Sequence, residues 1–333
     1  MATFKEIRGQ LIKKYTTNPT NPLEGQMWYN NTTGTLKVYR NIGGVWASGT
    51  SASNSPKTFA GGDGPVTAAW VAGGGGSPGD ANATTEEYDG SSWTGGGAYP
   101  TATYGLAGVG PQTAALAFGG NSGSITAAAS EYNGTAWSSP TSMPAARNYV
   151  CRAGTQTAAL AFGGSNPAPT SQPETFEYDG STWAVGGAYP TGIEYSVGTG
   201  TQTAALAATG YHQPGAPDIP NATNEYNGTA WTAGNVVNTA RFNTQGFGIQ
   251  TDAVMAGGND ASPPGASTAT ETYDGTDWST STATLGTARN GATAMGHNGG
   301  GTTAGWLVGG EPTKLATEEY TNPTISIQTV TTS

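Results

Sequence analysis

In 333 residues the chain holds one cysteine, Cys151, and two histidines, His212 and His297. A single thiol excludes an intrachain disulfide framework and any Cys-rich zinc site. Charge is equally scarce: 10% of residues are Asp, Glu, Lys or Arg, and the net charge is −10. No run approaches the ~20 apolar residues needed to span a bilayer, and the first residues lack the apolar core of a secretory signal. The expectation is a protein that does not insert in membranes and carries neither metal nor cofactor. What charge there is divides unevenly. Lys5, Arg8, Lys13, Lys14, Lys37 and Arg40 face only Glu6 and Glu24 in the first fifty residues, a balance of +4, so the remainder carries −14. An acidic main body argues against nucleic acid, because phosphate contacts need a basic face. The basic start is expected to meet a different neighbour.

Against these absences stand 53 glycines, nine tryptophans and fifteen tyrosines. They are not scattered. The phrase Glu177-Tyr178-Asp179-Gly180-Ser181-Thr182-Trp183 returns as Tyr88 to Trp93, Tyr132 to Trp137, Tyr226 to Trp231 and Tyr273 to Trp278, and a damaged copy begins at Glu319-Tyr320. Successive tyrosines stand 44 to 48 residues apart, a period suited to four-stranded propeller blades. Asp-Gly or Asn-Gly between apolar positions predicts a type I′ hairpin, which places Tyr and Trp on its two arms. Upstream of each phrase lies a short apolar run ending in glycine, such as Ala114 to Gly120 or Ala158 to Gly164. That is the pattern of a strand buried on both faces, stopped where backbones crowd.

Each repeat divides into four strands, and six repeats fit between residues 56 and 330. Over that stretch Gly-Gly, then Tyr, then Trp recur in the order that resembles kelch repeats. The fold that follows is all-β: a six-bladed kelch-like β-propeller over 56–330, with a small N-terminal β-meander as an extension within 1–50. The fourth repeat departs from the pattern at Ala208-Thr209-Gly210, and the sixth lacks its Trp. A ring must close or leave open sheet edges. Residues 325–330 alternate well and are the expected closing strand; the segment from Lys37 to Trp46, which imitates the Tyr-turn-Trp phrase, is the alternative.

The meander reads as Gln26 to Asn30, Thr35 to Arg40 and Gly43 to Trp46, after a helical turn or two around Phe4 to Lys14. Its stretch Asn21-Pro22-Leu23-Glu24-Gly25-Gln26-Met27-Trp28-Tyr29-Asn30, followed by Thr33-Gly34-Thr35-Leu36-Lys37-Val38-Tyr39, resembles an N-terminal module of virion and tail-fibre proteins of marine bacteriophages. In that family such segments precede kelch-like repeats with Thr-Gln-Thr-Ala and Glu-Tyr-Asp-Gly phrases, which Thr157, Ala158, Glu177 and Tyr178 match. The resemblance implies a virion structural protein. Residues 1–50 would join other virion proteins, and the propeller would meet a host-surface glycan or receptor. Homo-oligomerisation is compatible with it. Decoration or connection of virion parts without host contact is the other reading.

Catalytic chemistry finds little support in the residues. A copper centre of the galactose oxidase kind needs two histidines at one site, whereas His212 and His297 fall in loops on opposite faces of their blades. The pairs Glu86-Glu87 and Glu318-Glu319 recur at equivalent positions, which favours a structural role over a glycosidase pair. Gln112, Gln156, Gln202 and Gln250 recur before the second strand and belong to the architecture. Recognition is expected where the repeats differ, in the second-to-third loops and the fourth-to-first connections of one face. Tyr and Arg can stack on sugar rings and hydrogen-bond hydroxyls there. The candidate ligand-binding residues are Tyr211, Arg147, Arg241 and Arg289, then Tyr149 and Tyr195.

Overall fold

A computed structural model of the chain describes residues 13–17, 27–40, 44–53, 57–77, 79–213, 218–261, 264–295, 302–322 and 326–329. Among them there are strands and no α-helix. The expected helical turn around Phe4 to Lys14 and residue His297 lie outside the described residues or at their margin. The chain divides into two units, one of residues 1–44 with 322–333 and one of residues 45–321.

In the larger unit, six four-stranded antiparallel sheets follow one another, a propeller-like β-sheet architecture. Sheet 1 is Gly61–Asp63, Ala69–Ala72, Thr85–Tyr88 and Trp93–Gly95; sheet 2 is Ala107–Val109, Ala115–Phe118, Ala129–Tyr132 and Trp137–Ser138. Sheet 3 is Cys151–Thr155, Ala158–Phe162, Thr175–Tyr178 and Trp183–Val185, and sheet 4 is Val197–Thr201, Ala204–Ala208, Thr223–Tyr226 and Trp231–Gly234. Sheet 5 joins Gln245–Ile249, Asp252–Ala256, Thr270–Tyr273 and Trp278–Thr280. Sheet 6 takes Thr293–Met295, Ala304–Val308 and Thr317–Thr321 from its own repeat, and its fourth strand is Val45–Ser48. The first strands of the six sheets neighbour one another in a closed circle.

The closing strand is therefore the N-terminal one, and the C-terminal strand expected from the alternation of 325–330 is displaced from that role. Trp46 is the reason. It supplies the tryptophan that the sixth repeat lacks, facing Tyr320 across the ladder as Trp183 faces Tyr178. Ser326–Thr329 instead pairs with Thr35–Arg40 in the smaller unit, beside Met27–Asn30 and the parallel Lys13–Tyr15. The three-stranded meander is corrected accordingly: its first two strands pair with each other, and its third leaves for sheet 6. In this small sheet Trp28 is fully buried, and the Asn30 side chain accepts the Thr32 and Thr33 amides to set the turn.

Neighbouring sheets are held by the residues that recur. Second strands such as Leu116, Ala117 and Phe118 are wholly buried, and small side chains let the sheets approach. Each phrase tyrosine reaches the carboxylate preceding the tyrosine of the sheet before it: Tyr132 to Glu87, Tyr178 to Glu131 at 2.9 Å, Tyr226 to Glu177, Tyr273 to Glu225 at 2.8 Å and Tyr88 to Glu319. The tryptophan indole donates to a threonine that opens the third strand of that same neighbour, as Trp278 does to Thr223 at 2.9 Å and Trp93 to Thr317 at 3.0 Å. Sheet 2 has Ala129 at the threonine's place, and Trp183 donates to the Thr141 carbonyl instead. The glutamine amides of Gln156, Gln202 and Gln250 donate to carbonyls of the preceding sheet's second and third strands, for example Gln202 to Ala159 and Tyr178.

The Asp-Gly hairpin differs from the type I′ expectation. Tyr178 pairs with Trp183, leaving a four-residue loop in which only Gly180 has a positive φ, +90°. The aspartate is kept for its side chain: Asp179 Oδ1 accepts the amides of Ser181 and Thr182. Asn133 and Asn227 cap their loops in the same way through Oδ1, which is why Asn and Asp interchange here. In the corresponding loop of sheet 1, Asp89 accepts the Ser92 amide, the Ser91 hydroxyl and the Ser91 amide, which favour the charged form and hold its carboxyl down at about 2.

Candidate functional site

Six residues in the left-handed region stand immediately before the first strands, one per sheet: Phe59, Gly105, Tyr149, Tyr195, Asn243 and Gly291, with φ between +52° and +67°. Side chains rarely adopt this conformation, yet four of the six carry one. Backbone bonds run from one member to the next: the Phe59 amide donates to Gly291, Gly105 to Phe59, Tyr149 to Gly105 and Gly291 to Asn243, at 2.8 to 3.2 Å. The two glycines make room for their neighbours' rings. A Cβ at Gly291 would stand 2.7 Å from the Phe59 ring, and one at Gly105 3.1 Å from Tyr149.

The rings meet over the middle of the circle. Phe59 lies 5.2 Å from Tyr149 and 5.9 Å from Tyr195, and Tyr149 and Tyr195 are 4.2 Å apart between centroids. Tyr195, Tyr211 and Phe242 continue the cluster outward at 5.4 to 6.5 Å. Phe59, Tyr149, Tyr195, Tyr211 and Phe242 are only half-buried, so aromatic surface remains open to solvent. Beneath them all six sheets line a cavity of about 50 Å³, room for a few waters and too small for a sugar ring unless an aromatic side chain moves.

The second-to-third loops share this face with the fourth-to-first connections. Just before five of the six left-handed residues, the backbone bridges to the residue beyond Gly-Gly of its own sheet, or beyond Thr209-Gly210 in sheet 4: Tyr104 to Asn121, Asn148 to Ser165, Glu194 to Tyr211, Phe242 to Asn259 and Asn290 to Glu311. Tyr211 and Glu194 exchange both backbone bonds, at 2.8 and 3.0 Å.

The structure thus brings Tyr149, Tyr195 and Tyr211 together and sends the three arginines elsewhere. Arg241 is fully buried against Glu271 at 2.9 Å and donates to the carbonyls of Gly257 and Ala269. Arg289 repeats this with Glu318, Gly309 and Ala316. Arg147 is also buried and pairs with the half-exposed Glu174 at 3.1 Å. Lys57, at the same place in sheet 1, pairs with Glu86 at 3.3 Å. These cations hold their sheets together: each lies in the connection leading into a sheet and, apart from Arg147, meets the carboxylate two residues before that sheet's tyrosine. His212 lies in a second-to-third loop with its Nδ1 3.0 Å from Asp218. No group of His, Cys, Asp or Glu suited to a metal occurs among the described residues. Cys151 is buried and its thiol is pushed up to about 12 by that burial, as inert packing requires.

Two charged residues near the mouth are missed by reading the repeats for what they share. Arg152 lines the cavity at a position held by Gly62, Gly108, Gly198, Gly246 and Ala294 in the other sheets. There a Cβ on Gly198 would come within 2.3 Å of the Arg152 carbonyl and one on Gly108 within 2.3 Å of the Gly62 amide, because first strands of adjoining sheets nearly touch. Burial lowers the Arg152 pKa, opposed by the Asp63 charge. Glu194 is 2% exposed and is the one carboxylate among its counterparts Thr58, Tyr104, Asn148, Phe242 and Asn290. Burial raises its pKa to about 7, against the pull of a bond from Ser165. The signal for both was a departure from the repeat, visible once the six copies are aligned on the left-handed residue.

No family model matches the chain, and no curated protein matches it. Among solved structures it is similar to that of YjhT, with a TM-score of 0.66 over 83% of this chain and 99% of that one. The sequence identity is 14%, so the likeness concerns the fold alone.

Proposed function

We propose that the chain is a bacteriophage virion structural protein in which a six-bladed kelch-like propeller is presented for recognition of a host-surface glycan or receptor. Six four-stranded sheets with neighbouring first strands support the blade count. The observation that carries the recognition reading is the half-buried aromatic cluster of Phe59, Tyr149, Tyr195, Tyr211 and Phe242, set among the loops that vary most between repeats. Aromatic faces left open on a rigid frame are suited to stacking on sugars or on apolar partner groups. The virion role rests on the resemblance of the first fifty residues, which would join other virion proteins. We read the protein as a binding module and not as an enzyme, located in the virion.

The test is adsorption of the purified protein to host cells. Tyr195→Ala combined with Tyr211→Ala should abolish it while circular dichroism and unfolding remain those of a folded protein. If adsorption persists in that variant and is lost on altering the Asp-Gly loops, the recognition face is the opposite one. If neither face matters, the protein decorates or connects virion parts.

A further inference from the structure

Sheets 5 and 6 each bury an arginine that reaches three partners: the first glycine carbonyl of Gly-Gly, the carbonyl four residues before the tyrosine, and the carboxylate two residues before it. In sheet 5 these are Gly257, Ala269 and Glu271; in sheet 6 they are Gly309, Ala316 and Glu318. Sheet 1 keeps the charge pair as Lys57 and Glu86, and sheet 3 keeps Arg147. Sheet 4 fills the place with Ile193 and with Asn224, whose amide donates to the Tyr189 hydroxyl at 2.8 Å. Sheet 2 alone has two short hydroxyl side chains there, Thr103 for the cation and Ser130 for the carboxylate.

Where those long side chains are absent there is a cavity of about 350 Å³. Its wall includes Gly119, Ala128 and Ser130, the counterparts of all three arginine partners. Tyr99, Thr126 and Ser139 complete a lining with many hydroxyls and no charged side chain. Tyr99 and Ser130 are buried, whereas Ser139 and Ser142 are exposed, so the cavity reaches solvent.

We propose that this cavity is a binding site for a neutral, hydroxyl-rich ligand the size of one sugar residue. The volume is in the range of small-molecule sites. Carbonyls that elsewhere accept an arginine N–H are left to accept hydroxyl protons, and Thr and Ser hydroxyls can both donate and accept. A cation is disfavoured, since the carboxylate that balances it in sheets 1, 5 and 6 is a serine here, and an unpaired buried charge is costly. The inference deepens the recognition reading and rests on it for the source of the ligand, but the pocket itself follows from the repeat comparison.

The full chain is titrated with methyl α-glucopyranoside, methyl β-galactopyranoside and N-acetylglucosamine, with glucuronate and methylguanidinium as charged counterparts, by calorimetry and saturation-transfer NMR. At least one neutral compound should bind and the charged ones should bind at least tenfold more weakly. Thr103→Arg with Ser130→Glu rebuilds the pair of sheets 5 and 6, fills the cavity and should weaken the neutral ligand at least tenfold. Ser142→Trp, at the exposed rim, should do the same and decides the matter if the double variant fails to fold. Absence of binding by every neutral compound, preference for methylguanidinium, or undiminished binding in the folded variants would overturn the proposal. Sugar binding by a protein that does not adsorb to host cells would remove the host reading and leave the pocket standing.

Discussion

The indole N–H of Trp46 donates to the hydroxyl of Thr270 at 3.0 Å across 224 residues of sequence. This is the bond that Trp137, Trp231 and Trp278 make to Thr85, Thr175 and Thr223, now made by a strand from the other end of the repeats. Trp46 also packs on Tyr320 and Phe247, with centroids 5.2 and 6.4 Å away.

Replacing Trp46 with Ala should therefore destabilise the larger unit by about 3 kcal/mol, a typical large-to-small core cost. Removing residues 1–50 should cost more, because it strips Thr317–Thr321 of a ladder as well. Denaturant unfolding measures both. A truncated protein as stable as the parent would mean that sheet 6 is closed by some other strand.

Five tyrosine hydroxyls have a glutamate acceptor on the neighbouring sheet; the sixth, on Tyr320, has no hydrogen-bond partner among the described residues, the glutamate's position in its neighbour being held by Thr272. Tyr178→Phe should cost roughly 1.5 kcal/mol, the lower end of what a hydrogen bond to a charged group contributes, because the pair is only part-buried. Tyr320→Phe should be neutral or slightly stabilising. Chemical denaturation of the two variants side by side gives the comparison, and equal losses would refute it.

Glu194 binds its proton more tightly folded than unfolded, its pKa being about 7 against an ordinary 4.5. Between those values the native state holds more protons, so stability falls as pH rises from about 4.5 to 7, and the loss is complete above that window. Glu194→Gln should flatten this part of the stability profile and raise stability at pH 8 by something on the order of 1–3 kcal/mol. Melting temperatures at pH 5 and pH 8 would show it; an unchanged slope would place the titration elsewhere.

Arg241→Ala leaves Glu271 buried and unpaired and should cost roughly 3–5 kcal/mol, while Arg241→Met with Glu271→Met should cost far less. Tyr211→Ala, by contrast, removes half-exposed surface and should act on binding more than on folding. Thermal unfolding combined with an adsorption assay separates the two kinds of residue, and similar stability losses for Arg241→Ala and Tyr211→Ala would contradict the distinction.

The repeat itself was legible because its residues serve geometry that recurs from sheet to sheet: tyrosine to glutamate, tryptophan to threonine, glutamine to carbonyl. The grouping of Tyr149, Tyr195 and Tyr211 was legible from strand counting, since alternate loops must open on one face. The burial of Arg147, Arg241 and Arg289 was not, because a recurring arginine before a strand reads equally as a contact residue or a staple until its carboxylate, some thirty residues on in Arg241 and Arg289, is placed in space. The identity of the closing strand was hidden for a related reason. Residues 325–330 have the alternation of an outer strand, and only the partner of Tyr320 distinguishes a suitable pattern from the one used. Arg152, Glu194 and the Thr103–Ser130 exchange stand out only against an alignment of the repeats on backbone conformation.

Val45–Ser48 and Thr317–Thr321, joined in one sheet, are made far apart in synthesis. During translation the earliest of these strands must wait, unpaired, while five whole sheets emerge and stack. At ribosomal rates of about 5–20 residues per second, that interval is on the order of tens of seconds. Until it ends, the growing stack exposes two raw edges to every other nascent copy nearby. The residue that ends the exposure is the tryptophan synthesised first among those that bind the sheets to one another.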